Sequence, residues 1–349
     1  MKNIKKYNIY IFISTFTRNI IDVYSVIFLY QKGYSINTII GIYTMIYFLG
    51  IYISNLSIRL GNKIGYKHIL IFSTIITSIS FYLLNNSQNP YLIFLFLSLS
   101  MFTYHPVKHY YGINLLKHKN QIGNTLIYTY IASLLSQYFV IKKVNIIYLI
   151  IISIIGIIPA LFIKKEKEEK IIVPKIINKS TLSFFIFDQF KIVFLLLEPL
   201  YLYLISNNFK FVGIFNILLT ISSILCIYLL SNRINLNKNY KYLNIAFTIV
   251  LLIKINITNH FWLLGLAFLE GIGIKINELV STMNLYNNKK LNTGYLILSE
   301  KIFCLVRTII MGIIYICNIN LKHSLYILVI GIFILSFKYQ ENINQKQNR

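Results

Sequence analysis

The sequence predicts an all-α integral membrane protein, on three observations. Hydrophobic residues fill 56% of its 349 positions and charged residues only 13%, with a mean hydropathy of +0.65; soluble domains average about 45–50% and about 25%. The apolar residues gather in runs of the length, about 20 residues, that a helix needs to cross the hydrocarbon core. The basic excess, 34 Lys and Arg against 10 Asp and Glu for a net charge of +24, lies mostly between those runs. A soluble nucleic-acid binder would carry such charge on polar faces, which these runs do not offer, so no nucleic-acid partner is expected. The apolar content also excludes disorder and a small disulfide-stapled domain.

Twelve spans are expected, at about 8–30, 37–57, 68–85, 91–113, 122–140 and 145–163, then 181–205, 211–230, 241–258, 261–285, 293–317 and 321–338. The first run follows Lys2, Lys5 and Lys6 like a signal peptide, but no small-residue cleavage site follows it. Arg18 and Asp22 interrupt its apolar stretch, so a retained first helix is expected. Turn-formers separate the later runs, among them Asn85-Asn86-Ser87-Gln88-Asn89-Pro90 and Ser206-Asn207-Asn208. Backbone polar groups in lipid must be satisfied internally, so the spans should be helices. The shorter alternating segments of a β-barrel are absent.

The basic residues set the sidedness. With the N-terminus in the cytoplasm, the inner segments hold 22 of them, including Arg59, Lys63 and Lys67 and six between 164 and 180. The outer segments hold 6: Lys32, Lys142, Lys143, Lys210, Lys254 and Lys322. This is the bias of the positive-inside rule. A multi-pass protein of the cell membrane is expected, with both termini cytoplasmic. Its parts are an N-terminal six-helix bundle (1–163), a cytoplasmic linker (164–180), a C-terminal six-helix bundle (181–338) and a cytoplasmic tail (339–349). The halves share a short repeat, Ile39-Ile40-Gly41-Ile42-Tyr43 against Phe211-Val212-Gly213-Ile214-Phe215. Cys226, Cys304 and Cys317 lie in expected spans without metal-like spacing and read as packing residues.

Between the second and third spans lies Ile58-Arg59-Leu60-Gly61-Asn62-Lys63-Ile64-Gly65-Tyr66-Lys67. It resembles the signature loop of the major facilitator superfamily, roughly Gly-x-x-x-Asp-Arg/Lys-x-Gly-Arg/Lys-Arg/Lys. Lys63, Gly65 and Lys67 match, whereas Ile58 replaces the first Gly, Asn62 the Asp and Tyr66 one basic residue. The match is that of a divergent member, and the excess of Ile, Asn, Lys, Tyr and Phe points to an AT-rich coding bias. The resemblance implies two six-helix bundles (6+6) and a gating role for the loop at Asn62, Lys63, Gly65 and Lys67. It further implies a secondary active transporter working by alternating access, not an enzyme, with no cofactor or metal. The Gly- and Pro-rich fifth span of the family's drug–proton antiporters is missing: Ile122 to Val140 holds only Gly123 and no Pro.

Six acids (Asp22, Asp188, Glu198, Glu270, Glu278 and Glu300) and six bases (Arg18, Lys108, Lys191, Lys275, Lys301 and Arg307) fall within the expected spans. Each costs at least about 2.5–3.5 kcal/mol near a helix centre facing lipid, so they must pair, line a cavity or snorkel. Arg18 and Asp22 are four apart and Asp188 and Lys191 three apart, so each pair can meet on one helix. Glu300 and Arg307, seven apart, share a face. His105, Lys108 and His109 form a polar patch beside Pro106. The resemblance brings the charges of the first, fourth, seventh and tenth spans to one cavity.

The candidates for solute binding and coupling are therefore Arg18, Asp22, His105, Lys108, His109, Asp188, Lys191, Glu198, Glu270, Glu300 and Arg307. The expected partners are a small polar or charged organic solute, membrane lipid and a coupling proton, and a monomer is expected. Two other readings are an intramembrane lipid-modifying enzyme, with His105 and His109 spaced as metal ligands, and a transporter-like protein without transport.

Overall fold

The computed structural model describes residues 2–115, 119–142, 145–163, 179–230, 236–286 and 293–347. The expected linker lies outside the described residues, except for the start of a helix at Lys179. Thirteen helical segments follow one another, and no strand occurs among the described residues. They are α1 (Lys2–Gln31), α2 (Ile36–Ile64), α3 (Tyr66–Asn86), α4 (Pro90–Leu115), α5 (Lys119–Ile141), α6 (Ile146–Ile155) and α7 (Ile157–Phe162). Then come α8 (Lys179–Ser206), α9 (Phe209–Leu230), α10 (Leu236–Asn256), α11 (His260–Tyr286), α12 (Thr293–Ile316) and α13 (Leu321–Gln347). The sixth expected span is two of these. Pro159 has no N–H for the carbonyl of Ile155, and the helix breaks at Gly156. Pro106 and Pro199, by contrast, sit inside α4 and α8 without splitting them.

Six helices are long and apolar enough to cross a membrane among the described residues: Ile4–Gln31, Ile36–Ile64, Tyr66–Asn86, Pro90–Lys108, Asp188–Ser206 and Phe209–Tyr228. Ile127–Ile141, Ile146–Phe162 and Leu321–Ile334 are shorter apolar helices. The helices α10, α11 and α12 carry the embedded charges Lys254, Glu270, Lys275, Glu300 and Arg307, which lower their hydropathy. Large apolar side chains stand exposed in stripes three to four residues apart. Met45, Phe48, Tyr52 and Leu56 form one on α2, and Leu305, Ile309, Ile313 and Ile316 another on α12. Faces of this kind suit lipid and would be a liability in water. The chain is a multi-pass, all-helical membrane protein.

It divides into two compact units, Met1–Lys175 with Asn292–Tyr315, and Ile176–Leu291 with Ile316–Arg349. By its contacts α12 clusters with the first unit. There the Tyr315 ring lies against Gly41 and the Arg307 guanidinium lies 5.3 Å from the Tyr47 ring centroid.

At one end of the first unit, Tyr7, Tyr10, Ile58, Tyr66, Ile69, Tyr104, Tyr110 and Tyr111 pack into an aromatic cluster. The loop between α2 and α3 is anchored on it. Gly65 takes φ 98°, a conformation other residues rarely adopt, and its N–H caps α2 on the Gly61 carbonyl at 2.8 Å. Ile58 is buried in the cluster. Tyr66 donates to Asn62 Oδ1 at 2.5 Å and stacks on Tyr110 with centroids 4.2 Å apart. Lys67 reaches the carbonyl of Leu161 on α7, while Lys63 is exposed. Each departure from the family's loop pattern thus makes a local contact: Asn62 and Tyr66 bond to one another where the pattern has charges.

In the second unit α11 packs tightly on α9. Any Cβ at Gly271 would collide with the backbone of Leu219, and Ser223 Oγ donates to the Gly271 carbonyl at 2.9 Å. The packing of α10, α11 and α13 is tied by Asn244 and Asn277. Asn277 Nδ2 donates to Asn244 Oδ1 at 2.9 Å, and Asn244 Nδ2 to the Ile332 carbonyl at 3.0 Å.

Candidate functional site

The second unit holds the most enclosed charges described. Glu198 is on α8, Lys254 near the end of α10 and Glu270 at the middle of α11; Lys254 and Glu270 are 0% exposed and Glu198 is 3%. The Lys254 ammonium donates to Glu198 Oε1 and, at 2.6 Å, to Glu270 Oε2. It also lies 4.7 Å from the Phe194 ring centroid and 5.5 Å from that of Phe215, so aromatic faces close the remaining sides. The second oxygen of Glu270, Oε1, is buried with no hydrogen-bond partner. Two carboxylates therefore share one ammonium, and with all three ionised the triad carries one negative charge in excess. Uptake of a single proton makes it neutral.

Lys254 is the residue the sequence reading misplaced: it stood among the six outer-face lysines. Lying close to the expected end of its span and having no acid partner on its own helix, it looks like a lysine reaching for the interface. Its partners are on two other helices. Two expected acids without basic neighbours of their own, Glu198 and Glu270, were the available signal that a base had to come from elsewhere.

On α8, Lys191 Nζ lies 2.6 Å from Asp188 Oδ1, and both residues are buried. Lys275 and Glu278 on α11 pair at 2.7 Å with the Glu278 side chain 57% exposed, a pair that reaches solvent.

In the first unit, Arg18 and Asp22 lie four apart on α1 but form no ion pair. Arg18 turns instead to α3 and α4. One terminal nitrogen donates to the Ser100 carbonyl at 2.8 Å and Ser100 Oγ at 3.3 Å; the other donates to Ser73 Oγ at 2.7 Å and Thr77 Oγ1 at 3.0 Å. Its guanidinium carbon lies 3.9 Å from the Tyr104 ring centroid. The planar fork of Arg and the four-residue spacing of Ser73 and Thr77 favour these hydroxyls over the carboxylate. Asp22 keeps one buried oxygen, Oδ1, without a hydrogen-bond partner. It stands within electrostatic range of Arg18, Lys108 and Arg307.

The ammonium of Lys108 lies 5.8 Å from the Tyr104 ring centroid, and Arg307 is also 5.9 Å from that of Phe303. His105, Lys108, Glu300 and Arg307 are all partly buried. The side chain of His109 is outside the described residues. No group of three or more His, Cys, Asp or Glu residues comes together as a metal site among the described residues.

The fold has counterparts among solved structures. The chain is similar to the nucleoside transporter NupG, with a TM-score of 0.69 at 12% identity over 98% of this chain and 99% of that one. A bacterial homolog to the human lysosomal transporter Spinster, in an inward-facing and occupied conformation, gives a TM-score of 0.63 at 12% identity, covering 98% of this chain and 96% of that one. A bacterial metal transporter gives 0.64 at 11% identity, covering 98% of each chain. At these identities the likeness is one of fold. No protein-family profile and no curated relative matches the sequence.

Proposed function

We propose that the chain is a secondary active transporter of the major facilitator type, with twelve spans in a 6+6 arrangement and both termini cytoplasmic. It moves a small charged organic solute across the cell membrane by alternating access. The fold likeness to solved transporters supports this reading, and the Glu198–Lys254–Glu270 triad carries it. A protein that needed those charges only for stability would do as well with an apolar contact. The triad instead sets two carboxyl groups against one ammonium, with one carboxyl oxygen unpartnered, inside a helical unit. That is the arrangement a proton-coupled carrier requires: one proton on the Glu198–Glu270 pair neutralises the site and its loss recharges it. Asp22, the other embedded acid with an open oxygen, is the second candidate carrier.

Accessibility tests the alternation. In a background lacking Cys226, Cys304 and Cys317, a single cysteine at His105 is reacted with a membrane-impermeant maleimide added to either face of oriented vesicles. Labelling from both faces, in proportions that a bound solute shifts, is the expected result. Labelling from one face only, under all conditions, would favour a transporter-like receptor over a transporter.

A further inference from the structure

The triad of the second unit sits off-centre along its helices. Lys254 is two residues from the end of α10 at Asn256, and Glu198 is eight from the end of α8 at Ser206 but nineteen from its start at Lys179. Glu270 is ten residues into α11 from His260 and sixteen short of Tyr286. These near ends belong to one face of the unit: the ring of Phe211, at the start of α9, lies 4.6 Å from that of His260, at the start of α11. By helix rise, the backbones of Lys254, Glu198 and Glu270 stand about 3, 12 and 15 Å from those ends. On the deeper side Phe194, one turn before Glu198, covers the Lys254 ammonium with a ring that carries no exchangeable proton. On the shallower side two phenols hold the last turn of α10. Tyr201, one turn after Glu198 on α8, donates to the Ile255 carbonyl at 2.6 Å, and Tyr326 on α13 donates to Asn256 Oδ1. The last four carbonyls of a helix lack N–H partners within it, so Tyr201 supplies one from a neighbouring helix. Lys254 and Ile255 are buried, yet Asn256 beside them is exposed.

We infer that the last turn of α10 is a lid on the triad, clasped by Tyr201 and Tyr326, and that the triad exchanges its proton with the face bearing the α8–α9 and α10–α11 turns. Helix ends open locally at far lower cost than the whole fold. Opening this one draws Lys254 out from between Glu198 and Glu270 and admits water to the two carboxyl groups. Tyr201 is a positioning residue, acting through Ile255 on the lysine next to it. The inference rests on the proton-carrier reading for its consequence, whereas the opening itself is measured without transport.

The test is lysine acetylation of the full chain in sealed vesicles by membrane-impermeant sulfosuccinimidyl acetate, read by peptide mass spectrometry. Exposed Lys210, beside the α8–α9 turn, marks the face the reagent reaches, and buried Lys191 on α8 reports general loosening. In the unaltered chain Lys254 should react slowly, and only in vesicles where Lys210 reacts. Tyr201→Phe and Tyr326→Phe each keep the ring and remove one hydrogen bond. Each should speed the acetylation of Lys254 about fivefold, the value of one net hydrogen bond, and leave Lys191 unchanged. Lys254 rates that neither variant alters would overturn the inference, as would Lys191 rising in step with Lys254. Reaction of Lys254 in vesicles where Lys210 is shielded would overturn it too, since the triad then opens to the other face. Lid opening without proton-driven flux would defeat the carrier reading alone. Proton-driven flux with a Lys254 rate that neither variant changes would defeat this inference alone.

Discussion

Truncating Lys254 and neutralising Glu270 are opposite perturbations, although they break the same contact. Lys254→Ala leaves two carboxylates buried without a cation and should destabilise the protein by about 3–5 kcal/mol. Glu270→Gln leaves Lys254 paired with Glu198 one to one and should cost far less. Thermal unfolding of the purified variants checks the order, and a larger loss for Glu270→Gln would contradict the charge arithmetic. Arg18 gives a second comparison. Arg18→Lys keeps the charge but cannot span Ser73, Thr77 and Ser100 at once, and should cost about 1–3 kcal/mol in the same measurement. Residue-scale chemistry was legible in the sequence only where both partners lie on one helix, as with Asp188 and Lys191. Arg18 and Asp22 have the same kind of spacing, yet tertiary hydroxyls outcompete the local carboxylate. Lys254 was misread because its partners come from α8 and α11, and spacing along one helix carries no information about another.

At the scale of the element, α11 offers an internal control. Gly271 and Gly265 are both helical glycines on it, but a Cβ at Gly271 meets the backbone of Leu219 while nothing lies within 4 Å of one at Gly265. Gly271→Ala should push α9 and α11 apart and cost about 1–3 kcal/mol. Gly265→Ala should be neutral or stabilise by up to about 1 kcal/mol through helix propensity. Equal effects on the unfolding midpoint would mean that α9 and α11 do not pack as described. The loop between α2 and α3 was legible in position and in its glycine. What its departures from the family pattern do was not, because the bond between Tyr66 and Asn62 and the stacking on Tyr110 depend on how α2, α3 and α4 meet.

At the scale of the molecule, hydropathy and basic residues outlined a multi-pass helical protein because lipid imposes one dominant constraint: every backbone polar group must be paired within the chain. The same constraint says little about which helices associate. The grouping of α12 with the first unit follows from tertiary contacts such as Tyr315 on Gly41 and Arg307 over Tyr47, which no periodicity displays. For the proposed transport, the question at this scale is whether a proton at the triad and a solute elsewhere share one cycle. The direct measurement is flux, in proteoliposomes with the membrane potential clamped, of a solute that raises the unfolding midpoint, with and without an imposed pH gradient. The account predicts accumulation against the solute gradient when a pH gradient is present, its loss when that gradient is collapsed, and its loss in Glu270→Gln with solute binding intact. Flux that ignores the pH gradient, or a Glu270→Gln protein that still accumulates solute against its gradient, would contradict it.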